Sequence, residues 1–154
     1  MTDPSYQQPA YQPPAGTGPS GPRANFGQRL VAYLADSILL AIVYGILLVI
    51  SRPLAYAVGT LGSLAYFTYF EGSASGQTVG KKLLNIRVID FTAGGPIGYG
   101  RAFVRWIGRI LSGIVCLLGY LWMLWDKEKQ TWHDKIATTV VVPTSAYPVE
   151  SWPG

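Results

Sequence analysis

The stretch from Leu30 to Ile50 reads LVAYLADSILLAIVYGILLVI and carries one formal charge, Asp36. About 21 apolar residues suffice for a helix to cross a hydrocarbon core of roughly 30 Å. An ionised carboxylate at the centre of such a helix costs on the order of 2.5–3.5 kcal/mol on insertion scales. Intramembrane acids therefore face a protein partner or water, and they raise a functional-site hypothesis by default. This run predicts a membrane protein with a polar feature inside it.

Composition supports that class. Charged residues make up 13% of the 154-residue chain, about half the ~25% usual in soluble domains. The formal charge of +4 is small and scattered, which argues against nucleic acid as a partner. Basic residues instead flank apolar segments, as contacts with anionic lipid headgroups require. The lone Cys116 cannot form an internal disulfide and reads as a small buried hydrophobe. No secretory signal peptide is expected, because the first apolar run starts late and lacks a cleavage site.

Residues 1–25 are dominated by proline, glycine, glutamine and tyrosine, with YQQPA and YQPPA as a degenerate repeat. Such a segment is expected to be a disordered tether or a docking tail for a protein partner. Its best proline pair is Pro19–Pro22, PSGP. A transmembrane domain is expected over residues 26–142, and a flexible C-terminal tail over 143–154. The first helix starts near Phe26. Arg29 and Asp36 are two turns apart on one of its faces, about 10 Å along the axis. That is too far for an ideal direct pair, so Asp36 is expected to find its partner on another helix.

Ser51-Arg52-Pro53 is a tight break, and Pro53 suits the start of a second helix over Leu54–Phe70. Ala55, Gly59 and Ser63 form a small-residue stripe that permits close helix packing. Residues 71–100 form a polar, glycine-rich loop in which Leu84, Ile86 and Val88 alternate weakly as a strand. Arg101, Arg105 and Arg109 recur at i+4, which reads as an amphipathic segment lying at the membrane surface. It leads into the apolar stretch Ile110–Trp125, with Trp122 and Trp125 as interfacial anchors. Thr138–Val142 reads as a short strand. The expected class is an all-α membrane protein with about three hydrophobic helices, a short amphipathic segment and small cytoplasmic β elements.

Charge placement leaves the C-terminal orientation open. Lys81, Lys82, Arg87 and the arginine stripe mark residues 71–109 as cytoplasmic, with the N-terminus on the same side. One crossing by the last apolar stretch would put the C-terminus outside. Re-entry through Gly113 or Gly119 would return it inside and let Val140–Val142 pair with Leu84–Ile89.

Chemistry-bearing motifs are sparse. GQTVGKK, Gly76 to Lys82, has three residues between its glycines, where a phosphate loop needs four. It reads as a glycine-shaped turn. His133-Asp134 lacks the further ligands of a metal site, and no nucleophile–base arrangement is legible. No cofactor, metal or enzymatic activity is expected. The sharper constellation joins Arg29 and Asp36 to the arginine stripe and the acids after the last apolar stretch. An Asp in a low-dielectric site suits proton exchange, whereas one paired with arginine is a structural tie.

At these residues the chain resembles the RDD family of bacterial membrane proteins, named for one arginine and two aspartates. The resemblance runs through RLVAYLADSILL, SGQTVGKKLLNIRVID and TWHDKIATTVVV, and covers about residues 26–142. Arg29 and Asp36 match the first two name-giving residues, and Asp134 is favoured over Asp126 for the third. Arg105, Arg109, Gly76, Gln77, Gly80, Lys81 and His133 are expected to support them. The family pattern has glycine before the threonine of the last motif, where this chain has Ala137-Thr138. The resemblance implies a multi-pass protein of the bacterial cytoplasmic membrane. Transport of an unidentified ligand has been suggested for the family, with sodium–proton exchange linked to some members, and a proline-rich tail resembles actinobacterial members.

Two functions follow as expectations. One is a transport-related homo-oligomer with Asp36 as protonatable site, Arg29 setting its field and Asp134 tying the loops. The other is a membrane scaffold or accessory subunit that recruits a partner through its tail.

Overall fold

The computed structural model describes residues 21–115, 117–149 and 152. Cys116 and residues 1–20 of the proline-rich tail lie outside the described residues. Among the described residues, six helices and two strands follow one another: α1 Phe26–Ile50, α2 Arg52–Gly72, α3 Val79–Leu83, β1 Ile86–Asp90, α4 Gly98–Ile114, α5 Leu118–Leu121, α6 Trp132–Ile136 and β2 Thr139–Pro143. A 3₁₀ turn, Trp122–Leu124, continues α5.

Helix α1 begins where a capping box satisfies its first amides: Gln28 N–H donates to Asn25 Oδ1 at 2.8 Å, and Asn25 N–H to Gln28 Oε1 at 3.0 Å. It buries only Ala32 and Asp36. Its long apolar side chains face outward, with Val49 89% exposed. Among the described residues α1 is the one helix long and apolar enough to cross a membrane. Helix α2 is long, and Pro53 stands in its first turn, but Arg52, Thr60, Thr68 and Glu71 dilute its apolarity. Helices α4 and α5 form a second span candidate only as a broken pair, turning through 112°. Of the three hydrophobic helices expected, one meets that length and apolarity among the described residues, or two if the broken pair counts as one.

The arginine-bearing helix also departs from expectation. Helix α4 does not lie free on a surface. Its Ala102, Arg105, Gly108 and Ser112 are buried as it packs on α2 and α6. At Gly108 an added Cβ would sit 2.8 Å from His133 Cβ, so only glycine lets α6 approach this closely.

The weak strand pattern becomes β1, antiparallel to β2 with Val88 opposite Val141. Both strands are buried almost throughout because the sheet is covered on its two faces. One face packs with Ala24, Ala32, Ile97 and Ala102, the other with Tyr147. Ala24 N–H donates to Val141 O at 2.9 Å, so the start of α1 and the C-terminal strand lie together. The pairing of Val140–Val142 with Arg87–Ile89 is the one that the re-entrant alternative allowed. Residues 21–25 of the expected disordered segment are held here. Arg23 pairs with Glu128 at 2.5 Å, and Gly21 N–H reaches Tyr147 Oη at 3.4 Å. In the expected flexible C-terminal tail, Tyr147 is buried, and Trp152 stacks on Phe70 at 5.5 Å with Lys82 Nζ over its ring.

The Ala137-Thr138 departure has a precise location. Ala137 has φ −90°, which any side chain tolerates, whereas Thr138 has φ +54°. A β-branched residue there costs roughly 1–2 kcal/mol. The Thr138 side chain is exposed and loses no packing on removal. Thr138→Gly is expected to stabilise the protein by about 0.5–1 kcal/mol after the entropy of a more flexible unfolded chain. Thermal unfolding in detergent would show the rise.

Candidate functional site

Three fully buried carboxylates, one from each of α1, α2 and α6, organise the polar interior. Asp36 is fully buried. Its Oδ1 accepts from Tyr66 Oη at 2.7 Å and Gly80 N–H at 2.7 Å, and its Oδ2 from Thr78 Oγ1 at 2.6 Å. The partners lie on other elements, as its place in α1 predicts, but none is a cation. The GQTVGKK segment builds this seat. Gly76, at φ +62°, leaves no room for a side chain against the Val88 carbonyl. Gln77 Nε2 donates to Ile86 O at 3.0 Å, which ties the loop to β1. Thr78 then caps α3, accepting from Lys81 N–H at 3.3 Å. Gly80 lies so close to α1 that a Cβ would overlap the Ala32 carbonyl oxygen.

Glu71, at the end of α2, is fully buried and meets three cations: Lys81 Nζ at 2.6 Å, Arg105 Nε at 3.0 Å and Arg109 Nη2. Lys81 is thus buried, with its ammonium paired to Glu71.

Asp134 on α6 accepts from Arg29 Nη2 at 2.6 Å, from Arg105 Nη1, and from Thr131 N–H and Oγ1 at 2.9 and 2.8 Å. Arg29 therefore pairs with Asp134, not with Asp36. Arg105 joins the two acidic centres: its Nε serves Glu71 while its Nη1 serves Asp134 and Thr139 Oγ1. The outer arginine, Arg101, is half exposed and pairs with Asp90. Asp126 belongs to the turn before α6, where it accepts from Glu128 and Gln130 N–H and pairs with Lys135 at 2.5 Å.

His133 is buried, with Nε2 3.0 Å from Thr131 Oγ1 and its ring edge-on to Tyr120. Burial pushes its imidazole well below the usual histidine range; Asp134 opposes this, while Arg105, Arg109 and Arg29 add to it. Burial would raise the Asp134 carboxyl, but Arg29 and Arg105 outweigh it and hold that group well below the carboxylate range.

Both shifts give acid sensitivity. An unfolded histidine takes up a proton below about pH 6.5, and His133 in the folded protein does not, so stability falls as pH drops through that value. The Asp134 contribution is fully present above the unfolded carboxylate value of about 3.9 and is lost as pH falls through its lower folded value. The chain has one histidine. His133→Gln, which keeps a donor toward Thr131, is expected to flatten the slope between about pH 5 and 6.5 while leaving the steeper loss below about pH 4. Unfolding midpoints across pH would test this.

Glu71, Tyr66, Thr78 and Thr139 were not singled out from sequence. Glu71 is the acid that closes the second helix, ahead of two lysines and four arginines, and that charge imbalance is its one legible signal. No group of three metal-ligating residues occurs among the described residues.

Comparison with known families matches residues 23–138 to the RDD family. Similar curated proteins include a proline-rich antigen homolog of Mycobacterium tuberculosis (strain CDC 1551 / Oshkosh), 40% identical over 87 residues, 54% of this chain and 36% of that protein. The proline-rich antigen of Mycobacterium leprae (strain TN) is 37% identical over 93 residues, 58% of this chain and 37% of that one. The uncharacterized protein YxaI of Bacillus subtilis (strain 168) is 34% identical over 80 residues, 52% of each chain. The aligned stretch thus spans about a third to a half of these relatives. No solved structure matches the chain.

Proposed function

We propose that this chain, which belongs to the RDD family, is a multi-pass, transport-related protein of the bacterial cell membrane. In this reading it admits a charged solute to the Glu71–Arg105–Asp134 cluster and works as an assembly of copies. One observation carries the reading: a cavity of about 860 Å³ between α1, α2 and α4. Its wall runs from apolar Val43 and Leu47 past Ser37 and Ser63 to Arg109, the partner of Glu71. The outward apolar side chains of α1, Ile38, Ile42 and Ile46 among them, support immersion in lipid or contact with another copy. With so few apolar helices in one copy, a sealed pathway needs more than one.

Charge supports an anionic solute. Arg29, Lys81, Arg105 and Arg109 outnumber Glu71, Asp134 and Asp36 by one, with His133 neutral. The oxygens of Asp36 are committed to three neutral donors. This favours Asp36 as a packing tie over Asp36 as the centre of cation–proton exchange. The same saturation supports the second reading, a scaffold whose polar network locks the helices and whose N-terminal tail recruits a partner.

Proteoliposomes separate these readings. Uptake of labelled inorganic phosphate and pH-gradient-driven uptake of sodium would be measured for wild type, Arg109→Gln and Asp36→Asn at matched incorporation. Phosphate uptake that fails in Arg109→Gln is the expected result. Sodium uptake abolished by Asp36→Asn in a folded protein would return Asp36 to the centre. No uptake of either ion would overturn the transport reading, and loss of a bound partner on deleting residues 2–22 would then establish the scaffold.

A further inference from the structure

A second, smaller cavity of about 200 Å³ lies against the charged cluster, and its chemistry is two-sided. Arg29, Lys81, Arg105 and Arg109 contribute to one part of its lining; Phe26, Leu30 and Leu121 contribute to another. Tyr33, Leu117, Tyr120 and Arg109 line both this cavity and the larger groove, so the two share a wall. Leu30 and Leu117 are 43% and 57% exposed, which places the mouth on the outer apolar surface.

Two lining residues carry a buried atom without a partner among the described residues, His133 at Nδ1 and Arg109 at Nη1, and of these Arg109 is the cation. Its side chain is nine-tenths buried, its Nη2 serves Glu71, and its face covers the Phe67 ring at 4.2 Å. Its Nη1 is buried and has no hydrogen-bond partner among the described residues. A buried charged donor without an acceptor is unfavourable, and a guanidinium edge matches the paired oxygens of a phosphate. The surplus positive charge of the cluster points to an anionic ligand. The apolar lining and the adjoining groove call for hydrocarbon attached to it.

We infer that the small cavity seats the phosphate head of an anionic membrane phospholipid on Arg109, with an acyl chain lying in the larger groove. This rests on the transport reading for the identity of the site, and it names the ligand class. Its test reads binding, so that it can fail separately from flux.

The full chain in detergent would be titrated with short-chain phosphatidylglycerol, phosphatidylcholine and inorganic phosphate, with bound ligand counted by native mass spectrometry. Phosphatidylglycerol is expected to bind about tenfold tighter than phosphatidylcholine, and Arg109→Gln to remove that difference. Leu30→Trp narrows the mouth and keeps every ion pair, so it serves where Arg109→Gln fails to fold; it is expected to weaken phosphatidylglycerol about tenfold. Equal binding of the two lipids would overturn the inference, as would Leu30→Trp without effect. Inorganic phosphate binding as tightly as phosphatidylglycerol would assign the site to a free anion and leave the transport reading standing.

Discussion

Arg105→Gln is expected to destabilise the protein by roughly 3–5 kcal/mol, the usual cost of removing one partner from a buried ion pair. Arg105 is 1% exposed at its side chain and bridges Glu71 on α2 to Asp134 on α6. Its loss also deprives Thr139 of a donor at the start of β2. Glu71 keeps Lys81 and Arg109, and Asp134 keeps Arg29 and the Thr131 donors. The damage therefore lies in the broken link between helices and in the desolvated charge. Arg105→Lys separates the two. It restores the charge, but one ammonium cannot serve both acids with the geometry of a planar fork, so an intermediate loss is expected. Unfolding midpoints of the three proteins in the same detergent would decide it. Equal stability of wild type and Arg105→Gln would remove the bridge from the account of the fold.

Gly80→Ala is expected to be at least as disruptive, although it adds one methyl group. The new Cβ would overlap the Ala32 carbonyl oxygen, lie 2.9 Å from that carbonyl carbon and 3.0 Å from Asp36 Cγ. The obstacle is helix backbone, which cannot rotate aside. Helix α3 would have to withdraw from α1, and Gly80 N–H and Thr78 Oγ1 would leave Asp36. A buried carboxylate losing two of its donors costs several kcal/mol. Membrane abundance and thermal stability are both expected to collapse. Gly95→Ala, with nothing within 4 Å of its added Cβ, is the matched control. A Gly80→Ala protein as stable as that control would show that α3 does not close on α1 as described.

These two sites show where reading from sequence reached and where it stopped. Asp36 announced itself because a charge inside an apolar run is costly, and that alone demands a partner from elsewhere in the chain. The partner's chemistry was not legible. Tyr66, Thr78 and the Gly80 amide are neutral groups of common types, and they converge only after α2 and α3 pack on α1. The arginine stripe was legible as a helix face, but its surroundings were not. An i+4 run of arginines beside apolar residues suits a lipid surface and a buried acidic cluster equally well. Glu71 and Asp134, 63 residues apart in the chain, made it the second.

Sequence alone determined the features that depend on neighbours along the chain. These are the long apolar helix and its single acid, the Pro53 break and the terminal strand. Each follows from local sterics, hydrogen bonding or hydropathy, which a short window contains. Tertiary structure decided which acid meets which base, that α4 turns Arg105 and Arg109 inward, and that the chain returns to set β2 beside β1. Those outcomes depend on desolvated charges finding mates across elements distant in sequence. The energy of that matching belongs to the assembled interior and to no single segment.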